Sequence, residues 1–253
     1  IRYDDYSDFG HTTNPRLALI WTTSDSLVTK LMMGSAFRAP SFIELYGQNN
    51  PVSLGNEQLK PETIDTFELS FNWQATNNLQ TILTLFDYTA KDMMVFEDDI
   101  NNISNTAQNS LTQDAQGFEW ELNWQLDDSW RLQGSYSHHN ARNKQNHTDV
   151  ADVPRSLGKL NVSYQATSDW HLTSQLFWVS DRKRRATDAR DEIDDYALWN
   201  MNFQRTNIVK NVDFNLTLRN LLDKDIREPS SGEIAEDYPM ESRGVWTGLD
   251  FSF

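Results

Sequence analysis

The sequence predicts an all-β fold, an antiparallel up-and-down transmembrane β-barrel portion of about twelve strands. Three observations point there. Apolar and polar residues alternate strictly over short segments, short and long connections alternate along the chain, and tryptophans collect beside the short connections.

The alternation is clearest in FEWELNWQL (118–126). Phe118, Trp120, Leu122, Trp124 and Leu126 fall on one face, and Glu119, Glu121, Asn123 and Gln125 on the other. A period of two is that of a strand whose faces meet unlike surroundings. Segments 67–73, 130–136, 170–178, 212–218 and 245–253 behave alike, the last placing Val245, Thr247, Leu249, Phe251 and Phe253 together. Less regular strands fit at 16–22, 27–33, 79–88, 158–165 and 197–204, with a weak acidic one at 2–9. Short turns fall at 24–26, 77–78, 127–128, 168–169 and 207–211, and long polar loops at about 35–63, 89–115, 138–156, 180–195 and 223–242. Tight turns at one end and long loops at the other are the plan of an outer-membrane barrel. The 253 residues leave room for twelve such spans, each of roughly 9–11 tilted residues.

Phased by their apolar faces, these strands are expected to show lipid no charge; Thr29, Thr81, Gly134, Ser174 and Thr247 are the non-apolar positions. Lys30, Glu68, Glu119, Glu121, Arg131, Asp213 and Asp250 fall between them. Lys or Arg facing lipid at mid-bilayer costs about 2–4 kcal/mol, which explains such a segregation. Trp21, Trp73, Trp124, Trp130 and Trp170 lie within a few residues of short turns. On a barrel they ring the periplasmic rim, with the indole body in lipid and its N–H among headgroups. A soluble β-sandwich alternates too, but has no reason to gather Trp at one end of its strands.

Composition narrows the function. With 22 Lys+Arg against 37 Asp+Glu the net charge is −15, so no nucleic-acid partner is expected, because phosphate binding needs a basic footprint. There is no Cys, hence no disulfide or thiolate site. The longest apolar runs are about five residues, such as LALIW at 17–21, whereas a spanning helix needs about 20. Mean hydropathy is −0.66, which suits a barrel showing lipid every second residue. No GxSxG, Gly-rich phosphate loop or HExxH occurs, so neither an enzyme nor a cofactor is expected. The five His (11, 138, 139, 147, 171) lack zinc spacing. The runs Glu97–Asp99 and Asp191–Asp195 lack the Gly and spacing of a calcium loop. No metal site is expected.

At 34–73 the chain reads GSAFRAPSFIELYGQNNPVSLGNEQLKPETIDTFELSFNW. Phe37 to Phe42, Glu44-Leu45-Tyr46, Gly55-Asn56, Leu59 to Glu62 and Glu68 resemble the mid-barrel signature of TonB-dependent outer-membrane receptors. Residues 2–21 resemble the strand–loop–strand before it, and 218–226 with 238–253 the family's last hairpin and aromatic end. The resemblance implies a 22-stranded barrel closed around an N-terminal plug in the bacterial outer membrane. Residues 1–253 would then be the C-terminal half of that barrel, with the plug domain and N-terminal barrel strands absent, and an open half-barrel is expected. The implied function is TonB-dependent uptake of a scarce ligand, a ferric siderophore first, with cobalamin or haem as other cargoes. Outside the family stand a self-contained twelve-stranded barrel enzyme, which needs Ser, His and Asn on its lipid-facing wall, and a soluble β-sandwich binding protein.

Two groups are candidate sites. Arg38 and Tyr46, extracellular by turn parity, would lie near the ligand path; on the structural reading, Pro40, Pro51 and Pro61 shape a loop whose charges pair locally. Arg182, Lys183, Arg184 and Arg185 are the one dense basic cluster. If alternation persists, Lys183 and Arg185 face the lumen and an anionic ligand, while Arg182 and Arg184 face lipopolysaccharide phosphates. The other reading is a solvated loop balanced by Asp188, Asp191, Glu192, Asp194 and Asp195.

Overall fold

A computed structural model describes residues 1–48, 53–99, 104–185, 187–230 and 234–252; Pro51 and Phe253, named above, lie outside them. Two short strands, β1 (Arg2–Tyr6) and β2 (Gly10–Asn14), pair as a hairpin. The main sheet begins with β3 (Arg16–Ser24) and β4 (Leu27–Arg38). A loop carrying the helix α1 (Phe42–Tyr46) and β5 (Ser53–Leu54) leads to β6 (Glu62–Thr76), β7 (Leu79–Asp98) and β8 (Asn105–Gln125). The meander continues through β9 (Trp130–Asn143), β10 (Pro154–Gln165), β11 (Trp170–Arg182), β12 (Tyr196–Val209) and β13 (Val212–Arg219). A small hairpin, β14 (Arg227–Glu228) with β15 (Tyr238–Pro239), precedes β16 (Gly244–Phe251).

The main sheet has twelve strands, eleven on one antiparallel path from β3 to β16 and β5 parallel to the outer end of β8. The count agrees with the sequence, but its membership differs. Residues 2–9 do not lie in the main sheet, because β1 pairs with β2 rather than with β3. Eleven is odd, so β3 and β16 run the same way and cannot meet antiparallel. Both are free edges among the described residues. Every residue of β3 is exposed, as is all of β16 after Gly244.

All five short turns stand where the sequence placed them. The loop read at 89–115 is much shorter than expected, since β7 and β8 stay paired out to Asp98↔Asn105. Beyond the bilayer both faces meet water, so the apolar rhythm stops while the hydrogen-bond ladder continues.

Register makes the two faces continuous. Trp21, Thr29, Phe71, Leu83, Trp120, Tyr136, Gly158, Trp178 and Ala197 are successive cross-strand partners on nine strands, with no charge among them. On the other face Gln74, Gln80, Asn123, Gln133, Asn161, Gln175 and Asn200 form a second row. Within it, Gln133 Nε2 donates to Asn123 Oδ1 at 3.2 Å and Asn161 Nδ2 to Gln133 Oε1 at 3.3 Å. One charge does share the apolar phase within the segments read from sequence. It is Asp87, beyond Leu85 on β7, opposite Phe67 and Gln116.

Among the described residues no second layer packs over the apolar row. Trp120 is 39% exposed, and the buried apolar cluster is Leu45, Leu59 and Ala107, with Phe9 and Met94 against it. That cluster lies under the α1 loop rather than between two sheets, so the sandwich is excluded.

Candidate functional site

The chemistry gathers at the long-loop end. Arg38 closes β4, and its guanidinium forks to two carboxylates. Nε and Nη2 donate to Glu62 at 2.7 Å each, while Nη1 and Nη2 donate to Glu44 at 3.1 and 3.0 Å. Glu62 also accepts from the Met94 N–H at 2.6 Å, which ties the loop to β7. Glu44 sits on α1 and completes a capping box with Ser41. Burial pushes the Glu44 carboxyl up, but the bonds from Arg38 and Ser41 outweigh it and hold the group at about 2. The charges at Arg38 therefore pair locally. Tyr46, on the same helix, is 40% exposed and packs against Phe42 at 6.2 Å.

Arg38→Lys keeps the charge but cannot fork to two carboxylates. Faster amide hydrogen exchange over residues 42–46 is the expected result. Wild-type exchange there would show that charge alone holds the loop.

The basic cluster divides differently from the alternation. Asp181 has φ of 57°, in the left-handed region, just before Arg182, which still pairs with Pro154 in the register of Ser156↔Ser180. Arg182 is 3% exposed, and its guanidinium lies 5.1 Å over the Tyr196 ring. It donates to the carbonyls of Arg227 and Asp194 and to Glu228, leaving Nε unpartnered. Arg184 is bidentate to Asp237 and donates to the Asp191 carbonyl at 2.6 Å. Protein acceptors take both guanidinium groups. Lys183 is ion-paired with Asp181 and Glu192, at 3.1 Å each. Arg185 keeps 65% of its side chain exposed, with Asp152 at 3.9 Å.

Sequence reasoning missed the residues that organise this end. Arg155 bridges Asp149 at 3.0 Å and Asp181 at 2.9 Å. Asp237 is 5% exposed and accepts from Arg184, from Arg190 and from the N–H and hydroxyl of Ser230. Asn220, 1% exposed, donates to the Lys224 and Glu241 carbonyls and accepts from the Lys224 N–H. Its place in LRNLLDKDI was the one available signal. The Arg38 group and the Lys183 group are separated by the five strands β6 to β10.

His138 lies on β9 beyond the segment 130–136 read from sequence, in the phase of the apolar row, and pairs with Phe118 and Ser156. Its Nδ1 lies 2.8 Å from the Ser156 hydroxyl, but Ser156 is 6% exposed and also accepts from the Tyr136 hydroxyl. A hydroxyl so enclosed is out of reach of a substrate; the pair ties β9 to β10. Among the described residues no group of three His, Cys, Asp or Glu could hold a metal.

Comparison with known proteins accounts for the architecture. The family model "TonB dependent receptor-like, beta-barrel" matches residues 1–221. The iron-regulated outer membrane virulence protein of Vibrio cholerae is 24% identical over 275 residues, covering all of this chain and 41% of that protein. The vitamin B12 transporter BtuB of Vibrio cholerae is 32% identical over 105 residues, 42% of this chain and 16% of that one. A variant of the ferric enterobactin receptor PfeA of Pseudomonas aeruginosa, solved with enterobactin, superposes with TM-score 0.79 at 21% identity, covering 99% of this chain and 42% of that one. The chain thus spans about two fifths of the full-length relative and of the solved structure. The apolar row is the lipid-facing wall of an outer-membrane barrel, the amide row its inner face, and the chain belongs to the TonB-dependent receptor β-barrel family.

Proposed function

We propose that residues 1–253 form the C-terminal half of the barrel of a receptor that takes up a ferric siderophore with energy relayed through TonB. The plug and the preceding barrel strands would be supplied by the rest of the receptor. The observation that carries the cargo is Arg185, a guanidinium with 65% of its side chain in solvent beside Lys183 at the long-loop mouth. A ferric siderophore of the catecholate class is anionic, and a guanidinium offers it forked, charge-assisted hydrogen bonds. Lys183, already shared between two carboxylates, contributes less. Arg38 is absorbed by Glu44 and Glu62, so its part is to hold the loop that presents Tyr46.

Cobalamin is the second cargo, favoured by the 32% identity to a vitamin B12 transporter over 105 residues. The double variant Lys183→Ala/Arg185→Ala in the full receptor separates the two. Affinity for a ferric catecholate is expected to fall about tenfold, the effect of roughly 1.4 kcal/mol, with cobalamin uptake at background throughout. Unchanged siderophore affinity removes these residues from the site, and cobalamin transport by the wild type replaces the cargo.

A further inference from the structure

The short-turn rim carries a charge in an unexpected place. Arg205, near the end of β12, shares the lipid-facing phase with Trp199, Met201 and Phe203. Its cross-strand partners are Trp170 and Phe214, and Leu249 lies beyond Phe214. At this rim the other outward strand positions are apolar, aromatic or threonine, including Trp21, Trp73, Trp124, Trp130 and Tyr164. Arg205 has no carboxylate within ion-pair distance among the described residues, although fifteen other cations of the chain do. One face of its guanidinium is covered, with Cζ 5.1 Å from the Trp170 ring centre. Trp170 is itself 41% exposed. Trp130 and Tyr164 stack at 4.1 Å one strand over.

We infer that Arg205 on Trp170 is a binding site for the phosphodiester of an anionic phospholipid in the periplasmic leaflet. A guanidinium on the lipid side of a barrel needs a counter-charge, and the protein supplies none here. The ring positions it by cation–π contact and keeps its N–H edge free. The N–H fork matches a phosphate bidentately. At this depth the phosphate plane of the headgroups is the nearby anion, and the Trp130–Tyr164 stack flanks the start of the acyl chains. Arg131, on β9 three strands away from β12, stands at the same rim but points into the lumen, where it donates to Gln125 Oε1 at 2.7 Å. It is the internal control. The inference rests on the outer-membrane placement and not on the cargo.

The test uses the full receptor in detergent, titrated with phosphatidylglycerol and separately with inorganic phosphate, while native mass spectrometry counts bound lipid. Arg205→Ala is expected to weaken phosphatidylglycerol binding about tenfold, and Arg205→Lys to keep part of it because the charge remains without the fork. Arg131→Ala should bind as the wild type does, and siderophore affinity should be unchanged in all three variants. Equal lipid binding by Arg205→Ala and the wild type overturns the site. So does equal loss in Arg131→Ala, and inorganic phosphate competing as well as the lipid overturns the lipid assignment. If Arg205→Ala does not assemble, Arg205→Gln, which keeps the stem over the indole, carries the same comparison.

Discussion

Arginine in place of Leu83 is expected to keep the receptor out of the outer membrane, whereas arginine one residue away, at Ile82, is expected to leave assembly intact. Leu83 belongs to the charge-free row, between Phe71 and Trp120. It lies four residues above Leu79, where β7 leaves its short turn. Four residues rise about 13 Å along a strand, which on a tilted strand reaches near the middle of an apolar band roughly 25 Å tall. There a lipid-facing Arg costs about 2–4 kcal/mol, and the side chain is too deep to reach headgroups easily. Ile82 faces the other way, between Asn72 and Glu121. An arginine there meets water and a carboxylate. The measurement is the amount of heat-modifiable receptor in outer-membrane fractions. Equal amounts of the two variants would falsify the assignment of faces on which the fold rests.

That contrast also shows why so much of the fold is legible in sequence. Hydrocarbon penalises every polar side chain it touches, so it writes a period of two into each span, and Phe118, Trp120 and Leu122 could be phased against Glu119 and Glu121 without coordinates. Where the solvent becomes uniform the writing stops. Residues 89–98 and 105–115 read as loop, yet they extend β7 and β8, because a hydrogen-bonded ladder in water needs no apolar face. Residues 2–9 read as one more span, yet β1 pairs only with β2. The candidate site was less legible for a different reason. Alternation placed Arg182 and Arg184 outward, but past the left-handed Asp181 their guanidinium groups are taken by acceptors of the loops, and hydropathy carries no trace of those contacts. Arg184's partner, Asp237, lies 53 residues away, and a single sequence cannot pair them.

Asp237→Ala is expected to separate the two loops it joins. Arg184 and Arg190 reach it from the loop after β11, while Ser230, Ile234 and the β14–β15 hairpin belong to the loop after β13. Removing one partner of a buried ion pair leaves the other uncompensated, a larger effect than deleting the pair outright. Arg184 would lose its bidentate partner and keep only the longer ion pair with Asp188 at 3.7 Å, while Arg190 stays on Asp188 within its own loop, so the tie between the loops should loosen. Proteolysis follows the population of the opened form when reclosing is fast, and cleavage within 187–195 is expected to quicken about tenfold, as an opening cost lowered by roughly 1.4 kcal/mol would give. The barrel's heat-modifiable band should be unchanged, because neither loop contributes to the span. Acid should reproduce the variant. Hydrogen bonds from the Arg190 side chain, then from its N–H, draw the Asp188 carboxyl down to about 2, and Arg184 holds Asp237 well below the carboxylate range against the opposing effect of burial. Groups depressed on folding stabilise fully above their unfolded value, about 3.9 for Asp, and lose that contribution as pH falls through the folded one. Cleavage should therefore be flat from pH 8 to about 5 and rise below about 4 in the wild type, with the Asp237→Ala rate already about tenfold higher at neutral pH. Wild-type loops that open at neutral pH on adding salt alone would show instead that long-range attraction, not the buried bidentate contact, holds the mouth together.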